Sequence, residues 1–246
     1  MSAPHEPIVD FVMPVYNESA NVERAIAEIY DKVPFAKRVL VVYDFDGDDT
    51  VPVVERIAHR FEGLQLVRNK AACGALNAMK AGIDAARAEV VIITMADLSD
   101  DIRIVPTMVR LICNDGFDVV CASRYMRGGR QIGGPVVKGL LSRLAGISLH
   151  LLSGIPTHDA TNSFRAYRRS LLNGIEIESR GGFELALELT AKAFVSGARV
   201  TEVPSVWRER VAGDSRFRLL AWLPQYLKWY WHAVKYQPRL FSGRGK

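Results

Sequence analysis

The chain has 246 residues, 49% hydrophobic and 24% charged, a balance that supports one large core or a core plus an appendage and argues against disorder over most of its length. Three cysteines, Cys73, Cys113 and Cys121, show neither CxxC spacing nor an even count; this excludes a disulfide framework and a cysteine zinc site and suits a reducing cytosol. The net charge of +5 is uneven: residues 216–246 hold seven of the 32 Lys and Arg and none of the 27 Asp and Glu, the pattern of a segment with an anionic partner, either nucleic acid or a membrane surface.

The N-terminus has no basic region followed by a long apolar one, and no uninterrupted apolar run reaches about 18 residues, so neither a signal peptide nor a spanning helix is expected. Residues 8–13 read as a first strand, followed by a loop of Pro14 to Ser19. Ser19 or Asn17 can cap a helix with apolar positions Val22, Ala25, Ile26 and Ile29. A second strand over 38–43 ends in the acidic turn from Asp44 to Thr50, before a helix carrying Val53, Val54, Ile57, Ala58 and Phe61.

A short strand over 64–68 and a small-residue helix over 74–87 lead to the apolar run Val90 to Ile93, which ends abruptly in Ala96, Asp97, Leu98, Ser99, Asp100 and Asp101. Carboxylates at a strand's carboxyl end mark a ligand site in an open α/β sheet, although Ser99 to Asp101 read equally as helix caps. A helix over 101–114 and a strand over 117–122 continue the alternation, which predicts a mostly parallel, doubly wound sheet flanked by helices. Beyond it come a basic loop over 123–135, a helix over 136–152, a helix over 183–196, a strand over 199–203 and a polar loop over 207–216. A last helix over 217–236 is interrupted near Pro224. The expected organisation is one domain over 1–216 with an amphipathic appendage over 217–246.

No G-x-G-x-x-G follows the first strand and no Walker A sequence occurs, so the usual backbone phosphate cradles are missing. The first two strand ends instead offer Pro14, Tyr16, Glu18 and Asp44: a rigid turn, a ring able to stack, and carboxylates able to accept from base N–H groups or ribose hydroxyls.

The ordered blocks PVYNES, the Asp44 loop ending in Thr50, ITMADLSDD, ASRYMRGG, DATNSFRAY and VPSVWRERVAGDSRF together resemble the family 2 glycosyltransferases, within them the polyprenyl (dolichyl) phosphate mannosyltransferase and glucosyltransferase branch. The resemblance implies a GT-A fold, a nucleotide-diphosphate sugar donor with GDP or UDP as the nucleotide, and inversion at the anomeric carbon. It implies that Pro14, Tyr16, Glu18 and Asp44 hold base and ribose, with Ala96 and Asp97 beside ribose and diphosphate. Arg124, Arg210 and Arg216 would contact the donor diphosphate or an acceptor phosphate, with Ser215 and Arg143 as further acceptor contacts; Arg143 reads equally as a solvated helix residue. Asp97, Arg124 and Arg210 would carry catalysis.

The departure from the pattern falls at its centre. Met95 stands where the first acid of an Asp-x-Asp pair is expected, Tyr43 replaces an acid before Asp44, and Ser99 stands where a Gln can reach the metal. Mg²⁺ or Mn²⁺ would then rest on Asp97 and the diphosphate, with arginines neutralising the leaving group. A polyprenyl phosphate acceptor is already anionic and needs no dedicated base; a hydroxyl acceptor needs one, with Asp97, Asp159 and Glu184 as candidates, although Asp159 and Glu184 read equally as a structural cap or ion-pair partner.

Trp222, Trp229 and Trp231 lie with Tyr226, Tyr230, Tyr236 and four leucines beside Lys228, Lys235 and Arg239. That mixture describes an interfacial helix lying on a membrane, and no basic platform for nucleic acid accompanies it. Packing on the core or on a second copy of the chain is the other reading of this helix. The sequence therefore predicts a hexosyltransferase acting on polyprenyl phosphate, peripherally bound at the cytoplasmic membrane face. A transferase for a soluble hydroxyl acceptor and a non-catalytic nucleotide-sugar binder are the alternatives.

Overall fold

The computed structural model describes residues 6–209 and 219–236. Its centre is a seven-stranded sheet built from β1 (Val9–Pro14), β2 (Lys37–Tyr43), β3 (Leu64–Arg68), β4 (Val90–Ile93), β5 (Val119–Ser123), β7 (Arg165–Arg168) and β8 (Val200–Pro204). The order is β3-β2-β1-β4-β7-β5-β8, and β7 alone runs antiparallel to its neighbours. Val9 pairs with Lys37 on one side and Val90 on the other, so β1, β2 and β4 deliver their carboxyl ends to one edge of the sheet. That edge is where right-handed crossovers leave a crevice.

Helices cover both faces: α1 (Val22–Lys32), α2 (Thr50–Ile57), α3 (Ala75–Ala85), α4 (Val105–Cys113), α5 (Val136–Ser153), α6 (Arg169–Asn173) and α7 (Leu185–Val195), with α8 (Leu219–Lys235) last. Val22, Ala25, Ile26 and Ile29 are the buried positions of α1, as their spacing requires. Neither Ser19 nor Asn17 caps this helix; Asn21 occupies the cap position, its side chain donating to Glu18 Oε2 at 3.0 Å instead of capping, and Asn17 is left-handed at φ 52°. Helix α3 lies so close to the sheet that a Cβ on Gly82 would collide with Val12 and Val42.

The expected alternation over the first five strands is present. Four elements lie where loops or nothing regular are expected, the short helix α6 among them. Strand β7 falls in the block after Asn162, and the three-residue strands β6 (Arg130–Ile132) and β9 (Val206–Arg208) pair in a separate ribbon. Of the three expected caps only Asp101 serves, accepting from the Arg103 N–H at 3.3 Å; Asp100 turns inward instead.

Helix α5 is 18 residues long with mean hydropathy 1.3, enough by length and composition to cross a membrane. The expectation of no such helix rested on an unbroken apolar run, which Lys138 and Arg143 interrupt without lowering the mean below this level. α5 lies along the protein: a Cβ on Gly146 would meet the His158 carbonyl, and Leu149 shares a core with Leu187 of α7 and Trp229 of α8. Its outer face carries exposed Val136, Val137, Leu140, Leu144, Leu151 and Leu152.

The amphipathic last helix is also only half outward. Trp229 is 1% exposed, its indole N–H donating to Ser179 Oγ at 3.0 Å, with Lys228 and Lys192 over the ring at 4.3 and 4.9 Å. Trp231 and Tyr236 are exposed, as are Leu223 and Leu227.

Candidate active site

A cavity of about 1300 Å³ runs from the carboxyl ends of β1, β2 and β4 to the space between α5, α7 and α8. Its polar end is bordered by Pro14, Tyr16, Glu18, Asp44, Ala96, Asp97 and Arg124, and its apolar end by Leu141, Ala145, Leu187, Leu223 and Leu227. All seven of those polar-end positions are ones the sequence singles out.

Two loops meet at the nucleotide end. Asp48, 1% exposed, accepts from the N–H groups of Asn17 at 3.1 Å and Thr50 at 2.9 Å, while Thr50 Oγ1 accepts from the Glu18 N–H at 2.9 Å. These bonds tie the loop after β1 to the loop after β2. Asp44 Oδ1 accepts from Asn69 Nδ2 and Oδ2 from the Gly74 N–H, both at 2.7 Å. Gly74 sits at φ 134°, open to glycine and strained for side-chain-bearing residues. Sequence reasoning misses Asp48, Asn69 and Gly74; the cue was a short polar residue after each strand. Tyr16 is 44% exposed, with Phe45 tilted against it at a ring separation of 5.5 Å.

At the end of β4, Asp97 Oδ1 accepts from the Ser99 N–H at 3.1 Å across Leu98, which is left-handed at φ 62°. Such a non-glycine residue costs about 1–3 kcal/mol and persists where its surroundings hold it. Asp100 takes the Thr94 hydroxyl at 2.9 Å and the Met95 N–H at 3.2 Å. Burial, then the charge of Asp97, pushes the Asp100 carboxyl up to about 7.

Arg124 is held by a dense set of hydrogen bonds. Its Nε and Nη2 donate to Asp159 at 2.7 and 2.8 Å, its own N–H does so at 3.0 Å, and Nη2 also reaches Thr161 Oγ1 at 2.9 Å and Ser142 Oγ at 3.2 Å. Burial works to raise the Asp159 carboxyl, but the Arg124 guanidinium overcomes it and holds that group below the usual carboxylate range. Asp159 is therefore the partner of Arg124 and is not placed to serve as a base. Glu184 is equally committed, accepting the Gly181 and Gly182 N–H groups at 2.6 Å each. Of the base candidates Asp97 alone borders the cavity.

Arg143 is exposed on α5 and does not border the cavity. Arg210, Ser215 and Arg216 lie outside the described residues. Lys138, which the sequence reading passes over, borders the cavity in the first turn of α5 together with Gly134 and Pro135. A cation behind Gly-Gly-Pro at a helix start was its signal.

Residues 10–175 match the family described as Glycosyl transferase family 2. The chain belongs to glycosyltransferase family 2. Among this transferase's relatives are a dolichol-phosphate mannosyltransferase of Pyrococcus furiosus, 26% identical over 90% of the chain and 64% of that protein, and a dolichyl-phosphate hexose transferase of Haloferax volcanii, 31% identical over 83% of the chain and 84% of the relative. The chain thus spans less than two thirds of the Pyrococcus protein. A polyprenol monophosphomannose synthase of Mycolicibacterium smegmatis is 28% identical over 83% of the chain and 79% of its own length.

In fold, the transferase is similar to glucosyl-3-phosphoglycerate synthase of Mycobacterium tuberculosis in complex with UDP, with a TM-score of 0.69 and 18% identity over 95% of this chain and 82% of that one. The fold is GT-A, as expected from the sequence. Another structure of that enzyme, with TM-score 0.69 and 18% identity over the same shares of the two chains, holds Mn²⁺, UDP-glucose and phosphoglyceric acid.

The donor set of this chain bears on such an ion. Met95 borders the cavity with a soft thioether where a hard cation wants oxygen, and the described residues include no group of three His, Cys, Asp or Glu able to hold a metal. Asp97 remains, and Mg²⁺ is commonly bound through one or two carboxylates plus substrate phosphates. The residues fit an ion that arrives with a diphosphate, and do not fit one held tightly beforehand.

Proposed function

We propose that this transferase moves a hexose from a GDP- or UDP-sugar to the phosphate of a polyprenyl phosphate, with inversion, at the cytoplasmic face of a membrane. The observation that carries the reading is the two-ended cavity: strand-end carboxylates and Tyr16 at one end, an apolar passage under α5 and α8 at the other. A nucleotide and a lipid phosphate would meet between them, beside Asp97 and Arg124.

In the reaction an acceptor phosphate oxygen, already anionic at neutral pH, forms the new bond to the anomeric carbon as the bond to the leaving nucleoside diphosphate breaks. No proton need be removed, which agrees with Asp159 and Glu184 both being spent on other partners. Tyr16 and Asp44 would hold the base and ribose. Asp97 and the diphosphate would hold Mg²⁺ or Mn²⁺, which when bound supplies neutralising charge for the leaving group. Arg124 and Lys138 would orient the acceptor phosphate.

The membrane face read here takes in α5 as well as the last helix that the sequence suggests. Trp229 and Tyr226 point inward, and the outer faces of α5 and α8 offer exposed leucines and valines beside Lys138, Arg143 and Lys235, a composition suited to an anionic lipid surface. A second copy of the chain is the other partner that such a face could take.

Incubating the protein with a panel of GDP- and UDP-hexoses and a short polyprenyl phosphate, alongside flotation with vesicles containing phosphatidylglycerol, tests this. Product and co-flotation are expected. Absence of turnover with every donor would sink the transfer reading. Turnover without flotation, undiminished on a soluble alcohol, would favour the soluble hydroxyl acceptor, and nucleotide-sugar binding without any turnover the non-catalytic binder.

A further inference from the structure

We propose that Asp159 is a positioning residue for the acceptor phosphate: it fixes Arg124 so that one edge of the guanidinium is presented to the cavity. The inference rests on the transfer to a phosphate acceptor read above.

Arginine has five N–H donors on a long side chain whose rotamer freedom is lost on binding. Here that freedom is removed beforehand. One carboxylate takes the Nε, Nη2 and main-chain N–H groups of Arg124 at 2.7, 2.8 and 3.0 Å. Thr161 and Ser142 take Nη2 as well, and Ser142 is itself held by the Tyr125 hydroxyl at 2.9 Å. The Tyr125 ring lies under the guanidinium at 4.8 Å. Among the described residues Nη1 has no hydrogen-bond partner, although Arg124 borders the cavity.

Asp159 itself is 0% exposed and does not border the cavity, so it touches no ligand there. Its carboxylate balances the Arg124 charge. The cavity therefore meets a directional donor in place of a mobile cation, and recognition of a phosphate oxygen depends on where Nη1 points. A purely structural ion pair would stabilise the fold equally well with any orientation of Nη1. The two roles differ in what the loss of Asp159 should change.

The test is steady-state kinetics of Asp159→Asn, Arg124→Lys and the double variant, with a nucleotide-hexose donor and a short polyprenyl phosphate. Asp159→Asn is expected to raise the acceptor KM by about 10- to 100-fold, the scale of a lost charge-assisted contact, with the donor KM within about twofold. On the Arg124→Lys background it should add little, because it acts through Arg124. Asp159→Glu keeps the charge but lengthens the side chain, so it should recover melting temperature without recovering acceptor KM; it carries the test if the Asn variant does not fold. Equal changes in both KM values, additive effects, or an unchanged acceptor KM would overturn the inference alone. Absence of wild-type turnover with every phosphate acceptor would overturn the transfer reading and this inference with it.

Discussion

The nucleotide half of the cavity and the acceptor half are built by different means. At the nucleotide end, Pro14, Asp44 and Asp97 sit at or just beyond the carboxyl ends of parallel strands, and hydrogen bonds to Asp48 and Asp44 brace the loops they stand on. The strand register fixes these residues. At the acceptor end, Arg124, Ser142 of α5, and Asp159 with Thr161 come from three separate segments and meet through side-chain bonds, while α5, α7 and α8 close the wall. Local geometry there depends on long-range packing. A site of this kind joins a rigid, sheet-borne half with one that must admit substrates of another chemistry.

If that division holds, variants in the two halves should separate. The largest effect is expected at the junction: Asp97→Asn should lower kcat by about 100- to 1000-fold, the scale of removing one electrostatic contact to the reacting groups, with acceptor KM little changed. Steady-state kinetics on both substrates checks this, and an intact rate would remove Asp97 from the chemistry.

On the outer face of the acceptor half, Leu140 and Leu144 are 57% and 54% exposed. Replacing both with Glu should weaken vesicle binding by about tenfold or more, through lost apolar insertion and added like-charge repulsion. The rate with a short, water-soluble polyprenyl phosphate should stay unchanged. Equal losses in both assays would show that α5 serves folding and not the membrane.

A smaller change is expected at Met95. Introducing Met95→Asp supplies the missing oxygen ligand, so Mn²⁺ should bind several-fold more tightly in the presence of nucleotide, read by electron paramagnetic resonance. Unchanged affinity would place the ion away from the end of β4.

The smallest effect concerns pH. The folded Asp159 carboxyl is held below its unfolded value of about 4. Its stabilising contribution is therefore present above that value and lost as pH falls through the folded one. The melting-temperature gap between wild type and Asp159→Asn should be full at neutral pH and narrow below about pH 4; a gap independent of pH would contradict the ion pair's role.

The same contrast explains what the sequence discloses. Strands β1, β2 and β4 are apolar runs ending in turn residues, and their lengths and polar ends are readable without tertiary information. Strand β7 reads Arg-Ala-Tyr-Arg, and nothing in that pattern announces a central strand. It is tolerated because buried Arg165 donates to the Ala186 and Asp159 carbonyls and to Thr190, two of them partners on the distant helix α7. Strands β6 and β9, with three residues each, are too short to carry a period.

Side-chain direction was equally hidden. The sequence marks Asp100 as a cap, whereas Thr94 and the Met95 N–H draw it inward. It marks Trp229 as interfacial, whereas Ser179 and Lys192 receive it as core. Amphipathic composition shows that a helix has two faces but leaves open which one meets the protein. Asp159 and Glu184 read from the sequence equally as bases and as structural partners, and the fold decides for the second because their captors, Arg124 and the glycine N–H groups of residues 181 and 182, become visible only there.

The central claim is that a nucleotide site and a lipid-phosphate site share one cavity. The most direct measurement compares transfer from GDP- and UDP-hexoses to a short polyprenyl phosphate with transfer to the same prenol lacking its phosphate, followed by mass spectrometry of the product. The account predicts a hexosyl phosphoprenol from the phosphate and no detectable product from the alcohol; equal transfer to both, or transfer to the alcohol alone, would contradict it.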